Sequence, residues 1–374
     1  MLSNEQNFVL FLLRHCFGLT SESRDVPADE KKVAEYIVKS SILPTIYSVL
    51  PDSLQTILAQ KYYAAVKQSI CQEYEGDLVL DALCNAGFDC IALKGWELRK
   101  LYPESTMRQM ADLDFLVRPY QYDRIKTVMR QLGFNNNAES SWKHDNFQKG
   151  EILVEMHKRL TDDSKGIQVW EREMWERATP QYRRVFEMAP EDYYIFHFVH
   201  LHKDFMNGSL GLRRIVDTWL LSRQAVDLDF VKAALEKFGM WTFHERMIHL
   251  AKAAMGEAEM DDGTELLLNH AFTYGIYGTD RSYKAGRIVA MGGNVKTGKL
   301  RSAVAAVFLP YSRMKAQFPI LEKYPILLPV CWSKRTVSLL HRGFKRNAAQ
   351  LNYSHITAED YEHMKRFFEA GGVR

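Results

Sequence analysis

No stretch of this chain is both long and apolar enough to cross a bilayer as a helix, which takes about 20 consecutive apolar residues. The longest apolar runs, such as Pro325-Ile326-Leu327-Leu328-Pro329-Val330-Cys331-Trp332, are short and broken by proline. The opening Met1-Leu2-Ser3-Asn4-Glu5-Gln6 has no basic residue ahead of its apolar segment, so a secretory leader is not expected. Cysteine is scarce too. Cys16, Cys71, Cys84, Cys90 and Cys331 are odd in number and scattered, which suits neither a disulfide framework nor a zinc site. A reducing, cytoplasmic setting is the expectation. Internal repeats and low-complexity tracts are also missing. What remains is 374 residues, 25% charged and 47% hydrophobic, an ordinary globular composition with length enough for two domains.

Charge is present but unevenly placed. The whole chain is +3, yet residues 281–350 carry fourteen Lys and Arg against the single Glu322, leaving the remainder strongly acidic. Such separation points to an anionic partner for 281–350, whether a nucleotide triphosphate, nucleic acid or an anionic membrane surface. Phe308, Tyr311, Phe318, Tyr324 and Trp332 are interleaved with the charges, as a membrane-surface or base-stacking contact would want. A basic helical face packed against the acidic remainder explains the same pattern.

The most informative segment is Asp112-Leu113-Asp114-Phe115-Leu116-Val117. Strands repeat every two residues, so Asp112 and Asp114 share one face while Leu113, Phe115 and Val117 fill the other. Two carboxylates that close repel unless something neutralises them, and a hard cation such as Mg²⁺ is the usual agent. The tripeptide alone is weak evidence. A second copy, Asp227-Leu228-Asp229, reads as a helix N-cap before Val231-Lys232-Ala233-Ala234-Leu235. The surroundings distinguish the first copy. Cys90-Ile91-Ala92-Leu93-Lys94-Gly95 is a short apolar run ending at a glycine that allows a sharp turn close to a ligand, and Trp96 to Tyr102 has helical spacing. A helix is expected over Tyr120 to Leu132. The strand Glu151 to His157 then sets Glu155 and His157 on one face, and with one intervening strand this brings a third carboxylate to the first pair.

These residues resemble a family. Leu93-Lys94-Gly95, Leu101-Tyr102-Pro103, Arg108, Asp112 to Val117, Leu132-Gly133-Phe134 and Val154-Glu155-Met156-His157 look like the uncharacterised nucleotidyltransferases, a branch of the polymerase-beta-like superfamily. Weaker likeness continues through Phe198-Val199-His200 and Leu212-Arg213-Arg214-Ile215-Val216-Asp217. The resemblance marks 79–160 as a small mixed nucleotidyltransferase-type sheet with helices, and helical spacing at 1–78 and from Trp170 onward adds flanking helical regions, at 1–78 and a larger one at 161–374, so an α+β fold is expected. The resemblance also implies that Asp112 and Asp114 bind the Mg²⁺ that holds the nucleoside triphosphate, with Glu155 completing the catalytic and metal site. Gly95 matches the phosphate-cradling turn, and Trp96 follows it where the superfamily usually carries serine. Lys94 and Arg108 are the residues that would steady phosphates.

The expected activity is transfer of a nucleoside monophosphate to a hydroxyl acceptor of unknown identity, with pyrophosphate release. Trp96 and the long gap from Gly95 to Asp112 favour the alternative, an inactive nucleotide-binding or partner-binding module. His157 either orients a metal-bound carboxylate, contacts a substrate hydroxyl or ends its strand in water. Arg108 either serves the acidic site or is a surface residue. His197 and His200 share a helix face without a His-Glu-x-x-His motif, so structural hydrogen bonds are expected, with His200 a possible substrate contact on the cleft wall. Gly293 to Lys299 has the spacing of a phosphate-binding loop, but Leu300 stands where that loop needs Ser or Thr, and a surface loop is the expectation.

Overall fold

The computed structural model describes residues 1–136, 143–160, 165–318, 320–341, 353 and 355–373. The chain forms two compact units, one of residues 1–202, 210–277 and 370–374 and one of 203–209 and 278–369. These cut across the three regions expected from sequence, because helices before and after the sheet pack on it as one body. No helix among the described residues is long and apolar enough to cross a membrane.

The first unit opens with helices α1 (Asn4–Cys16), α2 (Glu30–Lys39), α3 (Leu43–Ile46) and α4 (Asp52–Asn85). Ser3 and Gln6 close a capping box on α1, satisfying amides that a helix start would otherwise leave unpaired. The sheet then begins with β1 (Asp89–Ala92), the one-turn helix α5 (Gly95–Leu98) and β2 (Leu113–Arg118). Helix α6 (Tyr122–Gln131) leads to β3 (Asn135–Asn136), β4 (His144–Lys149) and β5 (Ile152–His157), and α7 (Lys165–Arg177) to β6 (Thr179–Tyr182) and β7 (Val185–Glu187). Helices α8 (Pro190–Met206), α9 (Leu212–Ser222), α10 (Leu228–Lys237), α11 (Trp241–Ala254) and α12 (Asp262–Tyr274) follow.

The fold is α+β. Among the described residues the sheet has seven strands in the order β3-β4-β5-β2-β1-β7-β6. Two strands, not one, separate β2 from β5 in sequence, and β6 and β7 lie in a stretch expected to be helical. Both are short, and β6 is exposed along its length, so neither carries the apolar alternation that marks a strand.

One face of the sheet is dry. Leu113, Phe115 and Val117 of β2 and Ile152, Val154 and Met156 of β5 bury against Val79 and Leu83 of α4 and against Ile125, Val128 and Met129 of α6. The spacing of the α6 residues places them on one stripe facing the sheet. Period two then forces Asp114, Glu155 and His157 onto the opposite face.

The second unit is helical: α13 (Asp280–Ala290), α14 (Val295–Val307), α15 (Tyr311–Gln317), α16 (Ile320–Lys323), α17 (Leu328–His341) and α18 (Ala358–Ala370), with Ala370 belonging to the first unit. The phosphate-loop-like segment turns out to be a helix start. Asn294 and Thr297 form a capping box on α14, and Arg287–Met291, which such a loop would need as a strand, closes α13. Part of the basic segment is paired within the second unit, through Arg281–Asp360, Lys284–Asp280 and Lys315–Glu322. Arg342, Lys345 and Arg346 lie outside the described residues.

Candidate active site

β2 and β5 pair in parallel with Asp114 opposite Glu155 and Leu116 opposite His157. Asp112 lies two residues before Asp114, just ahead of the strand. One carboxylate oxygen from each of Asp112, Asp114 and Glu155 lies within 4.8 Å of the others. The sequence-predicted trio is thus brought together, with Asp114 2% exposed and Asp112 and Glu155 partly accessible.

Lys94 enters this cluster from the turn between β1 and α5. Its Nζ is 2.5 Å from Asp114 Oδ1 and 3.7 Å from Glu155 Oε2. Its backbone has φ +45° and ψ −117°, a conformation that L-residues avoid at a cost of about 1–3 kcal/mol. The turn is tied down on both sides. The Leu93 N–H donates to the Asp114 carbonyl at 2.9 Å, and the Tyr193 hydroxyl of α8 donates to the Lys94 carbonyl at 2.8 Å.

Gly95 plays a different part from the one expected. Positive φ falls on Lys94, and what Gly95 supplies is room: a Cβ there would stand 2.6 Å from Arg108 Nη1 and 2.8 Å from Met110. Trp96 is buried against Gly76 of α4 and stands edge-on to Phe115, so the position after the glycine is part of the core.

Arg108 also departs from expectation. It is 5% exposed, and its Nε and Nη2 donate to the two oxygens of Asp217 on α9 at 2.7 and 2.8 Å. Tyr102 Oη donates to the same carboxylate at 2.8 Å. A guanidinium whose Nε and Nη2 are taken by a buried carboxylate positions the segment leading to Asp112. His200 is half-buried, with its ring 6.1 Å from Phe196, and it belongs to neither group of metal-ligand atoms found among the described residues. His197 is buried against Thr218, 2.9 Å away, and burial pushes its pKa down to about 4.

The histidines that do converge are His157 and one that sequence reasoning missed. His157 Nε2 is 2.8 Å from Asp114 Oδ1 and 3.4 Å from Glu155 Oε2. His144 sits opposite His157 in the β4–β5 ladder, its Nε2 3.6 Å from Glu155 Oε1. Nothing in the polar run of β4 singled it out, since its meaning comes only from the partner strand. Arg213 and Asp217 were signalled within the resembling Leu212 to Asp217 stretch, without any indication of what they touch.

The electrostatics divide the carboxylates. Burial works against ionisation of Asp114, but Lys94 and the hydrogen bond with His157 outweigh it and hold the group well below the usual carboxylate range. Glu155 is likewise lowered, against its burial, by His157, Lys94 and His144. Asp112 goes the other way: burial, with Asp114 and Glu155 adding repulsion, pushes it up to about 7. Lys94 and Arg213 offset that only in part, so Asp112 is left under-neutralised. Three oxygen donors with one short of positive charge fit a hard dication.

A cavity of about 550 Å³ lies beside the Lys94 turn, lined by Ala92, Glu97, Lys100, Glu187, Tyr193 and Leu221 among others. None of the three carboxylates lines it.

A family model described as uncharacterised nucleotidyltransferase matches residues 28–256. No curated protein and no solved structure matches the chain. The matched span covers more than half of the sequence and runs from before α2 to just past α11, taking in the whole sheet and every residue of the carboxylate cluster. The chain therefore belongs to the uncharacterised nucleotidyltransferase family.

Proposed function

We propose that the chain transfers a nucleoside monophosphate from a triphosphate to a hydroxyl acceptor at the Asp112–Asp114–Glu155 face. Family membership supports the reaction class. The observation that carries the finer reading is the register of Asp114 with Glu155, which with Asp112 gathers three carboxylate oxygens within 4.8 Å. Mg²⁺ held by Asp112, Asp114 and Glu155 would offset the negative charge of the triphosphate.

The chain's own groups then have distinct tasks. Lys94, a point charge on a strained and anchored turn, swings from Asp114 to steady phosphate oxygens. Glu155 stays ionised and takes the proton of the attacking hydroxyl. The acceptor oxygen bonds to the α-phosphorus as the bond to the bridging β-phosphate oxygen breaks, and pyrophosphate leaves.

Calorimetry with Mg²⁺-ATP on wild type and on Asp112→Asn/Asp114→Asn tests the reading. Binding should be lost in the double variant, and equal affinity would sink the assignment. A second reading draws on Trp96, a buried indole where the superfamily usually carries a serine hydroxyl, and on Lys94, which already neutralises Asp114. Under it the chain binds nucleotide without turnover, and the sign is Mg²⁺-ATP binding with no pyrophosphate released from any pairing of nucleotides and acceptors.

A further inference from the structure

The polar face of the sheet carries a second convergence of donors, of which the nucleotidyl-transfer reading uses only Glu155. His144 on β4 and His157 on β5 are direct cross-strand partners, their ring centroids 5.1 Å apart. Glu155 lies between them, with Oε1 3.6 Å from His144 Nε2 and Oε2 3.4 Å from His157 Nε2. One ligand atom from each of the three residues falls within 4.8 Å of the others.

We propose that His144, Glu155 and His157 form a binding site for an imidazole-preferring transition-metal dication of the Zn²⁺ or Co²⁺ type. Two nitrogens and a carboxylate oxygen are a poor set for Mg²⁺, which takes oxygen ligands, and a good one for later first-row metals. The spacing agrees. Tetrahedral ligands held about 2.0–2.1 Å from zinc lie about 3.4 Å apart, close to the two measured separations.

The surroundings of His157 supply an independent indication. A metal-ligating imidazole normally donates its other N–H to a carbonyl or carboxylate, which fixes the ring and its tautomer. His157 Nδ1 stands 3.4 Å from the Arg159 carbonyl oxygen, in place for that role. Its Nε2 now shares a hydrogen bond with Asp114. Coordination through Nε2 needs that nitrogen unprotonated and the ring N–H on Nδ1, and it would free Asp114 for a ligand or for Lys94 alone.

The site shares Glu155 with the Mg²⁺ reading but does not depend on Asp112, so the two stand or fall separately. The test uses the tag-free full chain, stripped with chelator and titrated with Co²⁺ for visible d–d absorption, then with Zn²⁺ against a chromophoric chelator. One equivalent of Co²⁺ should give a visible band that Zn²⁺ displaces. Loss of an outer partner of a metal ligand costs ~10–100-fold in affinity, so His144→Ala and His157→Gln, each removing a ligand, should weaken Zn²⁺ at least that much. Asp112→Asn should leave Zn²⁺ affinity within a few-fold. His144→Asn, a smaller change on the strand, is measured beside His144→Ala, and melting curves report whether each folds. Unchanged Zn²⁺ affinity in the folded His144 variants would overturn the proposal. So would an Asp112→Asn loss as large as theirs, which would place the ion among the carboxylates.

Discussion

Removing one half of the Arg108–Asp217 pair should unfold the first unit long before it changes any chemistry. Asp217 is 2% exposed and accepts from Arg108 Nε, Arg108 Nη2 and Tyr102 Oη, so the pair is nearly dry and fully bonded. Breaking such a pair strands a charge where water cannot reach it, at a cost of about 3–5 kcal/mol. Asp217→Asn keeps the shape and strands Arg108, and Arg108→Met strands Asp217. Each should lower the urea midpoint substantially in tryptophan-fluorescence unfolding. The double variant Arg108→Met/Asp217→Leu removes both members of the pair, so its loss should fall short of the sum of the singles by about 1–3 kcal/mol. The reasoning fails if Arg108→Met unfolds along the wild-type curve yet loses Mg²⁺-ATP affinity. That result would put the guanidinium on a phosphate and make the pairing with Asp217 incidental.

Asp112→Asn should stabilise the protein at pH 8 in chelator and make no difference below pH 4. The folded-state carboxyl is raised from 3.8 to about 7, so its contribution is fully present below 3.8 and is lost as pH rises through 7. At 1.36 kcal/mol per tenfold this amounts to at most about 4 kcal/mol, read from urea midpoints across pH; no gain at pH 8 would contradict it. By the same linkage, Mg²⁺ affinity should drop about tenfold per unit below pH 7, since the ion must displace that proton. Lys94→Met should lose stability in chelator and regain part of it with Mg²⁺, because ammonium and dication neutralise the same carboxylates; a melting temperature indifferent to Mg²⁺ would refute this. Exposed Leu300, Ile326 and Val330 accompany the basic residues of the second unit. Co-sedimentation with anionic vesicles should therefore occur at low salt and fade as salt rises. Equal binding to neutral vesicles would show that charge plays no part.

What the sequence disclosed about the site follows the reach of each physical rule. Period two put Asp112 with Asp114 and Glu155 with His157 on single faces, and those statements needed no knowledge of neighbours. An N-cap at Asp227 or Asp229 was legible for the same reason, and it falls on Asp227, whose side chain bonds the amides of Asp229 and Phe230 close along the chain. Pairings between distant elements were not legible. Arg108 finds Asp217 109 residues away, and His144 finds Glu155 and His157 only because β4 and β5 pair in one register. A one-residue slip in that ladder would turn His144 to the dry face. Gly95 illustrates a subtler failure. A glycine at the end of a strand suggests backbone freedom, yet the strained residue is Lys94, and Gly95 is small because Arg108 and Met110 press against it.

Lys94 connects the fold to its chemistry. The sheet brings three carboxylates together because the apolar residues alternating with them must pack on α4 and α6, so hydrophobic burial offsets the repulsion among the acids. One ammonium and one imidazole can answer two of the charges, and Asp114 and Glu155 are the two they answer. The remaining repulsion is left on Asp112, the carboxyl just outside the strand and partly open to water. A cation arriving from solvent would therefore meet the under-neutralised group first. Under the proposed function its binding would displace a proton from Asp112 and compete with Lys94 for Asp114, so that the lysine would become available to an incoming phosphate once the ion is in place.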